Sequence, residues 1–167
     1  VLVATWIHDY APAIRGLVLA SPAFKVKLYV PLARPALALW HRLRGLFFIN
    51  SYVKGRYLTH DRQRGASFNN DPLITRAIAV NILLDLYKTS ERIIRDAAAI
   101  TLPTQLLISG DDYVVHRQPQ IDFYQRLRSP LKELHLLPGF YHDTLGEENR
   151  ALAFEKMQSF ISRLYAN

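Results

Sequence analysis

The run Thr104–Asp143, TQLLISGDDYVVHRQPQIDFYQRLRSPLKELHLLPGFYHD, decides the fold. It opens with an apolar strand pattern, Gln105–Ser109, closed by Gly110 and the acidic pair Asp111–Asp112. An amphipathic helical pattern follows over Gln118–Arg128, with Ile121, Phe123, Tyr124 and Leu127 as its apolar positions. A further strand pattern, Leu131–Leu137, is broken by Pro138–Gly139, and the loop behind it carries His142. Strand, helix, strand predicts two parallel strands. Their following loops then emerge at one sheet edge, where open α/β proteins bind ligands. Asp112 and His142 are therefore predicted neighbours, and a carboxylate that orients an imidazole makes two members of a nucleophilic triad.

Other readings of these residues stand beside that one. Asp111–Asp112 also suits a plain turn after Gly110 or a cap for the helix at Gln118, since Asp favours both. A lone loop histidine is ordinary in a chain that also holds His8, His41, His60, His116 and His135. His116 shares the loop of the acid and His135 falls inside a strand. Neither supplies the later, separate loop that the order acid-then-histidine requires.

Working outward, Val1–Tyr10 reads as a buried helix stopped by Pro12, and Arg15–Ser21 (RGLVLAS) as a strand buried on both faces. Pro31–Leu46 carries Leu32, Ala36, Leu39, Trp40 and Leu43 at helical spacing, opposite basic residues. Arg56–Asn70 reads as a polar loop. Asp71–Pro72 reads as the N-cap and first residue of a helix continuing through Ile78, Leu83, Leu86, Tyr87 and Ile94, with a Glu91–Arg95 pair one turn apart. Thr101–Pro103 ends it. A last helix, Asn149–Tyr165, is expected to face the sheet with Leu152, Phe154, Met157, Phe160, Ile161 and Leu164. The fold class is α/β with a parallel sheet, divided into residues 1–24 (core helix and strand), 25–100 (a helical cap insertion) and 101–167 (core carrying the acid and histidine loops).

Composition excludes several functions. With no cysteine among 167 residues there is neither a disulfide framework nor a thiolate metal site. No His-x-x-x-His pair with a third ligand, glycine-rich phosphate loop or dinucleotide fingerprint is present, so no metal and no cofactor are expected. The charge of +7 is local: Lys25–Arg64 holds nine basic residues and one acid, Asp61. Such a block is a solvated cap face or a contact for an anionic membrane surface; nucleic acid is not the expected partner. Arg34, His41, Arg42 and Arg44 interrupt the best candidate for a membrane span. Val1–Tyr10 lacks the pattern of a secretory leader, and a cytoplasmic protein, peripheral to the membrane at most, is expected.

A nucleophile would precede both Asp112 and His142, in a Gly-x-Ser-x-Gly turn between strand and helix. No such motif occurs. Ser21 ends a strand, but it is followed by Pro22 and lacks flanking glycines. The helix expected behind a nucleophile looks like Val1–Tyr10, so the expectation is a serine upstream of Val1.

Four stretches carry a family resemblance: Arg15–Phe24 (RGLVLASPAF), Asn70–Leu73 (NDPL), Leu106–Val115 (LLISGDDYVV) and Pro138–Glu147 (PGFYHDTLGE). In order and at this spacing, they resemble the C-terminal part of the α/β-hydrolase fold. The branch is the monoacylglycerol lipase / lysophospholipase-like one, of serine aminopeptidase S33 type. The resemblance implies that Asp112 is the catalytic acid, that His142 is the catalytic histidine, and that residues 25–100 cap an apolar acyl pocket. Trp40, Phe47, Phe48 and Tyr52 are candidate lining for that pocket, or else cap core. The implied activity is hydrolysis of lipid-like carboxylic esters by the intact protein, with these residues alone inactive. The alternative is a non-catalytic hydrolase-like module that binds an anionic membrane or a protein partner through its basic cap.

Overall fold

The computed structural model describes residues 1–166, so Asn167, the end of the third predicted segment, lies outside the described residues. Helix α1 (Leu2–Tyr10) stops at Ala11, whose left-handed backbone (φ 41°) returns its N–H to the Ile7 carbonyl just before Pro12. The chain then enters β1 (Leu17–Ala20), where Leu17 and Leu19 are buried while Val18 and Ala20 are only half-buried. The continuous apolar run had suggested burial on both faces.

Between β1 and the next strand of its sheet lie α2 (Ala33–Arg44), β2 (Phe48–Asn50), a 3-10 turn (Gly55–Tyr57), α3 (Arg62–Asn70), β3 (Ala77–Ala79) and α4 (Val80–Arg95). Strands β2 and β3 pair antiparallel, with Ile49 opposite Ile78, in a small sheet of their own. The chain continues through β4 (Thr104–Ser109), α5 (Gln118–Arg126), β5 (Lys132–Leu137) and α6 (Arg150–Tyr165). The main sheet runs β1-β4-β5, all parallel.

Strand β4 is central and buried throughout, and its alternation separates two cores. Leu106 joins Ala4, Ile7, Leu19, Ile93, Phe123 and Leu127, contributed by α1, β1, α4 and the α5 region. Leu107 joins Leu137, Phe140 and Ala153 beneath α6. Successive side chains of a strand point to opposite faces, so one short apolar run holds helices on both sides of the sheet.

Several expectations are corrected. Arg56–Asn70 is a 3-10 turn and a helix rather than a loop. The Asp61 carboxylate caps α3, accepting from the Arg64 N–H at 3.0 Å. Only Gly65 of that helix is buried, against Gly55. A Cβ on Gly55 would stand 1.9 Å from the Gly65 carbonyl oxygen. The close contact of α3 is therefore backbone, and Phe68 is its one apolar side chain packed on a core cluster, which leaves no apolar stripe to read. The helix expected from Asp71–Pro72 starts at Val80. Asp71 closes α3 and its carboxylate accepts from the Leu73 N–H at 2.8 Å, an Asx turn. Residues 77–79 are extended because β2 pairs with them. Glu91 pairs with Arg34 of α2 instead of Arg95, which turns to Asp96 at 3.1 Å. On α6, Ala153 and Phe160 are buried, whereas Leu152, Phe154 and Ile161 are 39–46% exposed.

Candidate active site

The acid and histidine loops are first joined by backbone. The Gly110 N–H donates to the Leu137 carbonyl at 2.8 Å and the Asp111 N–H to the Phe140 carbonyl at 2.9 Å. Glycine is required at 110, where a Cβ would lie 2.8 Å from the Leu137 oxygen. The parallel register of β4 and β5 then delivers the two side chains to one place. Asp112 is buried, and its Oδ2 lies 2.8 Å from His142 Nδ1. Its Oδ1 accepts from the Val114 and Val115 N–H groups at 2.7 and 2.9 Å. Asp111 is exposed. Of the acidic pair, the second residue is thus the one locked against the imidazole, with its plane fixed by two backbone donors.

This geometry sets the tautomer. An ionised carboxylate only accepts, so Nδ1 carries the proton and Nε2 holds the free lone pair. Among the described residues Nε2 makes no hydrogen bond. A neutral imidazole oriented in this way can act as a general base.

Two other histidines also face a carboxylate through Nδ1, His8 its neighbour Asp9 at 2.6 Å and His60 Glu147 at 3.1 Å, but neither carboxylate stands on the loop that ends β4. His116 faces no carboxylate among the described residues; burial first, then the charges of Lys25 and Lys27, lower its pKa. His135 lies in β5, 3.0 Å from Glu133. Ser21 is also accounted for. Its hydroxyl is buried and bonded to Thr144 Oγ1 at 2.8 Å, and it accepts from the Ser109 N–H at 3.2 Å. Thr144 Oγ1 also bonds Ser109 Oγ at 2.9 Å. Ser21 thus tethers the histidine loop to the ends of β1 and β4, with a left-handed φ of 39°.

Glu147 was missed as a site residue, although it ends the Pro138–Glu147 motif. It is 2% exposed. Oε1 accepts from the Tyr141 N–H at 2.7 Å and faces His60 Nδ1 at 3.1 Å, while Oε2 accepts from the His60 N–H at 3.0 Å. Burial pushes its pKa up, but the Tyr141 and His60 donors outweigh that and hold it below the ordinary carboxylate value. Together with the Asp143 N–H bond to the Leu58 carbonyl at 2.8 Å, it ties the histidine loop to residues 58–60. The signal open to sequence reading was a glutamate five residues beyond His142; its partner His60 is remote in the chain and carries no motif.

A cavity of about 900 Å³ has Tyr113, the residue after Asp112, in its wall; Asp112 and His142 themselves are not in its lining. Leu28, Val30, Leu37, Ile49, Tyr52 and Tyr113 are among its walls, and Lys54 is its one charged residue. Of the four aromatics expected to line a pocket, Tyr52 does so. Trp40 instead lies under the Arg44 guanidinium, 4.4 Å from it. Phe48 is 62% exposed; β2 gives the cavity Ile49 and Asn50 instead. Phe47, just before β2, is also absent from the lining. Burial is the main reason the Tyr52 hydroxyl has a raised pKa; it donates to the Lys27 carbonyl at 2.8 Å.

Comparison with known proteins extends these observations. The family model described as serine aminopeptidase, S33 matches residues 1–149. A Schizosaccharomyces pombe protein named as a monoglyceride lipase is 25% identical over 134 residues, which is 80% of this chain and 35% of that protein. Phospholipase YtpA of Bacillus subtilis is 25% identical over 164 residues, 95% of this chain and 62% of that protein. The chain thus spans between a third and two thirds of the length of these relatives. The fold matches the crystal structure of Paleococcus ferrophilus monoacylglycerol lipase with a TM-score of 0.84 at 18% identity, covering 96% of this chain and 63% of that one.

Proposed function

The chain belongs to the serine aminopeptidase S33 family of α/β-hydrolases, in its monoacylglycerol lipase-like branch, and from that premise we propose that it carries the acid and the base of a serine carboxylic-ester hydrolase. In this reading, a serine hydroxyl contributed by residues outside this chain attacks the ester carbonyl. His142 Nε2 takes the hydroxyl proton and returns it to the leaving alcohol. Asp112 keeps the proton on Nδ1 and stabilises the imidazolium formed during attack. Water then releases the acyl group by the same proton transfers in reverse. The substrates proposed are lipid-like esters, monoacylglycerols or lysophospholipids, with the acyl chain in the 900 Å³ cavity. The lipase and phospholipase names of the two relatives support that class.

The observation that carries this proposal is the 2.8 Å contact between Asp112 Oδ2 and His142 Nδ1, with the carboxylate's other oxygen held by two backbone N–H groups. A turn aspartate has no need of an imidazole partner on another loop. The test is turnover of nitrophenyl butyrate by the intact protein that contains this chain. His142→Ala is expected to abolish turnover while the thermal transition is retained. Undiminished turnover in a folded His142→Ala protein would remove this histidine from the reaction.

A second reading rests on α2, which buries none of its residues. Leu39 and Leu43 are 60% and 71% exposed beside Arg42 and Arg44. This face suits peripheral contact with an anionic membrane. Among the described residues no helix is long and apolar enough to cross a membrane. Co-sedimentation with phosphatidylserine vesicles that weakens steeply with salt is the expected result, and equal binding to neutral vesicles would refute it.

A further inference from the structure

One side chain, Tyr113, links the cavity wall to the two loops that carry Asp112 and His142. Tyr113 follows Asp112 in sequence and lines the cavity. Its ring stands edge-on to Tyr141, the residue before His142, with centroids 5.0 Å apart. On the cavity side it meets Tyr57, another wall residue, at 5.9 Å. Tyr141 in turn packs on the His60 ring at 3.8 Å, and Glu147 holds both Tyr141 and His60. The backbone beneath Tyr113 is also pinned: its carbonyl accepts from the Tyr29 hydroxyl at 2.5 Å, and the Asp112 carbonyl accepts from Lys27 Nζ. Tyr29 lines the same cavity.

We propose that Tyr113 is a specificity-determining residue that couples acyl occupancy of the cavity to the placement of Asp112 and His142, so that chain length is read in the turnover rate as well as in binding. This rests on the ester-hydrolase reading above. Tyr113 is 43% exposed, so beside its contact with Tyr57 it keeps surface that an acyl chain in the cavity can meet. An acyl chain against that face presses the ring onto Tyr141 and restricts the loops on either side of the 2.8 Å contact. Binding energy from a non-reacting part of the substrate raises kcat only if it is used to hold the reacting groups. A ring next in sequence to one member of the pair and packed edge-on against the neighbour of the other provides that route.

The experiment compares kcat and KM for nitrophenyl esters from acetyl to decanoyl, each below its micelle threshold, in the intact protein and in Tyr113→Leu and Tyr113→Phe. Leucine keeps an apolar wall but removes the ring; phenylalanine keeps the ring. In the wild type kcat is expected to rise with chain length. The decanoyl-to-acetyl ratio of kcat should fall about tenfold, equivalent to ~1.4 kcal/mol, in Tyr113→Leu, and should be retained in Tyr113→Phe. A ratio unchanged in Tyr113→Leu, with only KM for long esters raised, would reduce Tyr113 to a passive wall and overturn the proposal. A wild type whose kcat is independent of chain length would overturn it too, while leaving the hydrolase reading intact. A wild type that turns over no ester would remove the hydrolase reading itself, and this inference with it.

Discussion

Glu147→Gln is an isosteric change whose consequence follows from the donors around the carboxylate. Both oxygens of Glu147 accept: Oε1 from the Tyr141 N–H, and Oε2 from the His60 N–H and the Glu148 N–H at 3.3 Å, while the Thr59 hydroxyl gives its proton to the Gly146 carbonyl at 2.8 Å. A glutamine must turn its NH₂ towards one of these sets. In either orientation a backbone N–H meets a donor and loses its partner, at about 1–3 kcal/mol for a buried group. The bonds that survive lose the assistance of the charge, roughly 1 kcal/mol more. His60 is half exposed, so water relieves its ring and the larger losses of a fully buried ion pair do not apply. The expected destabilisation is about 2–4 kcal/mol, which for a chain of this size lowers the midpoint by roughly 4–16 °C. The sign of the pH dependence follows from the depressed pKa of Glu147. Its stabilisation is complete above the unfolded carboxyl value of about 4.3 and is lost as the pH falls through the lower folded value. Urea unfolding at neutral pH and at successively lower pH values should therefore show a gap between wild type and variant that is widest at neutral pH and closes in acid. A Glu147→Gln protein within about 0.5 kcal/mol of wild type at neutral pH, or a gap that widens in acid, would refute the reasoning.

Two further outcomes are expected. Asp112→Asn leaves the shape of the site but offers an NH₂ or a neutral oxygen to His142 Nδ1, so the imidazole loses its fixed tautomer; under the proposed function kcat of the intact protein should fall about 10⁴-fold, the loss this change causes in a Ser-His-Asp site, with KM little changed. Gly55→Ala places a methyl 1.9 Å from the Gly65 carbonyl oxygen and should separate the 3-10 turn from α3. A loss of about 3 kcal/mol or more is expected by overpacking, whereas Gly65→Ala, with its nearest contact at 3.2 Å, should lose less; equal urea midpoints for these two variants would show that the close approach is not structurally important.

What the sequence determined by itself is the unit from β4 to the histidine loop. The continuous apolar run in QLLIS, the alternation in ELHLL, the helical spacing between them and the breaks at Gly110 and Pro138–Gly139 are local signals. A parallel sheet converts them directly into a shared edge, so the meeting of Asp112 and His142 was legible. The middle segment was not, because its structure is decided between residues distant in the chain. Strand β3 exists because β2 pairs with it, α3 meets the 3-10 turn glycine to glycine, and Glu91 answers Arg34 of another helix rather than the arginine one turn away. The same limit hid Glu147 and the arrangement of the cavity wall. A carboxylate becomes structural only when His60 and Tyr141 converge on it, and whether Phe48 or Ile49 faces the cavity depends on a strand pairing that no local pattern encodes. Short-range periodicity specifies which faces are apolar, whereas tertiary packing alone selects which of those faces meet.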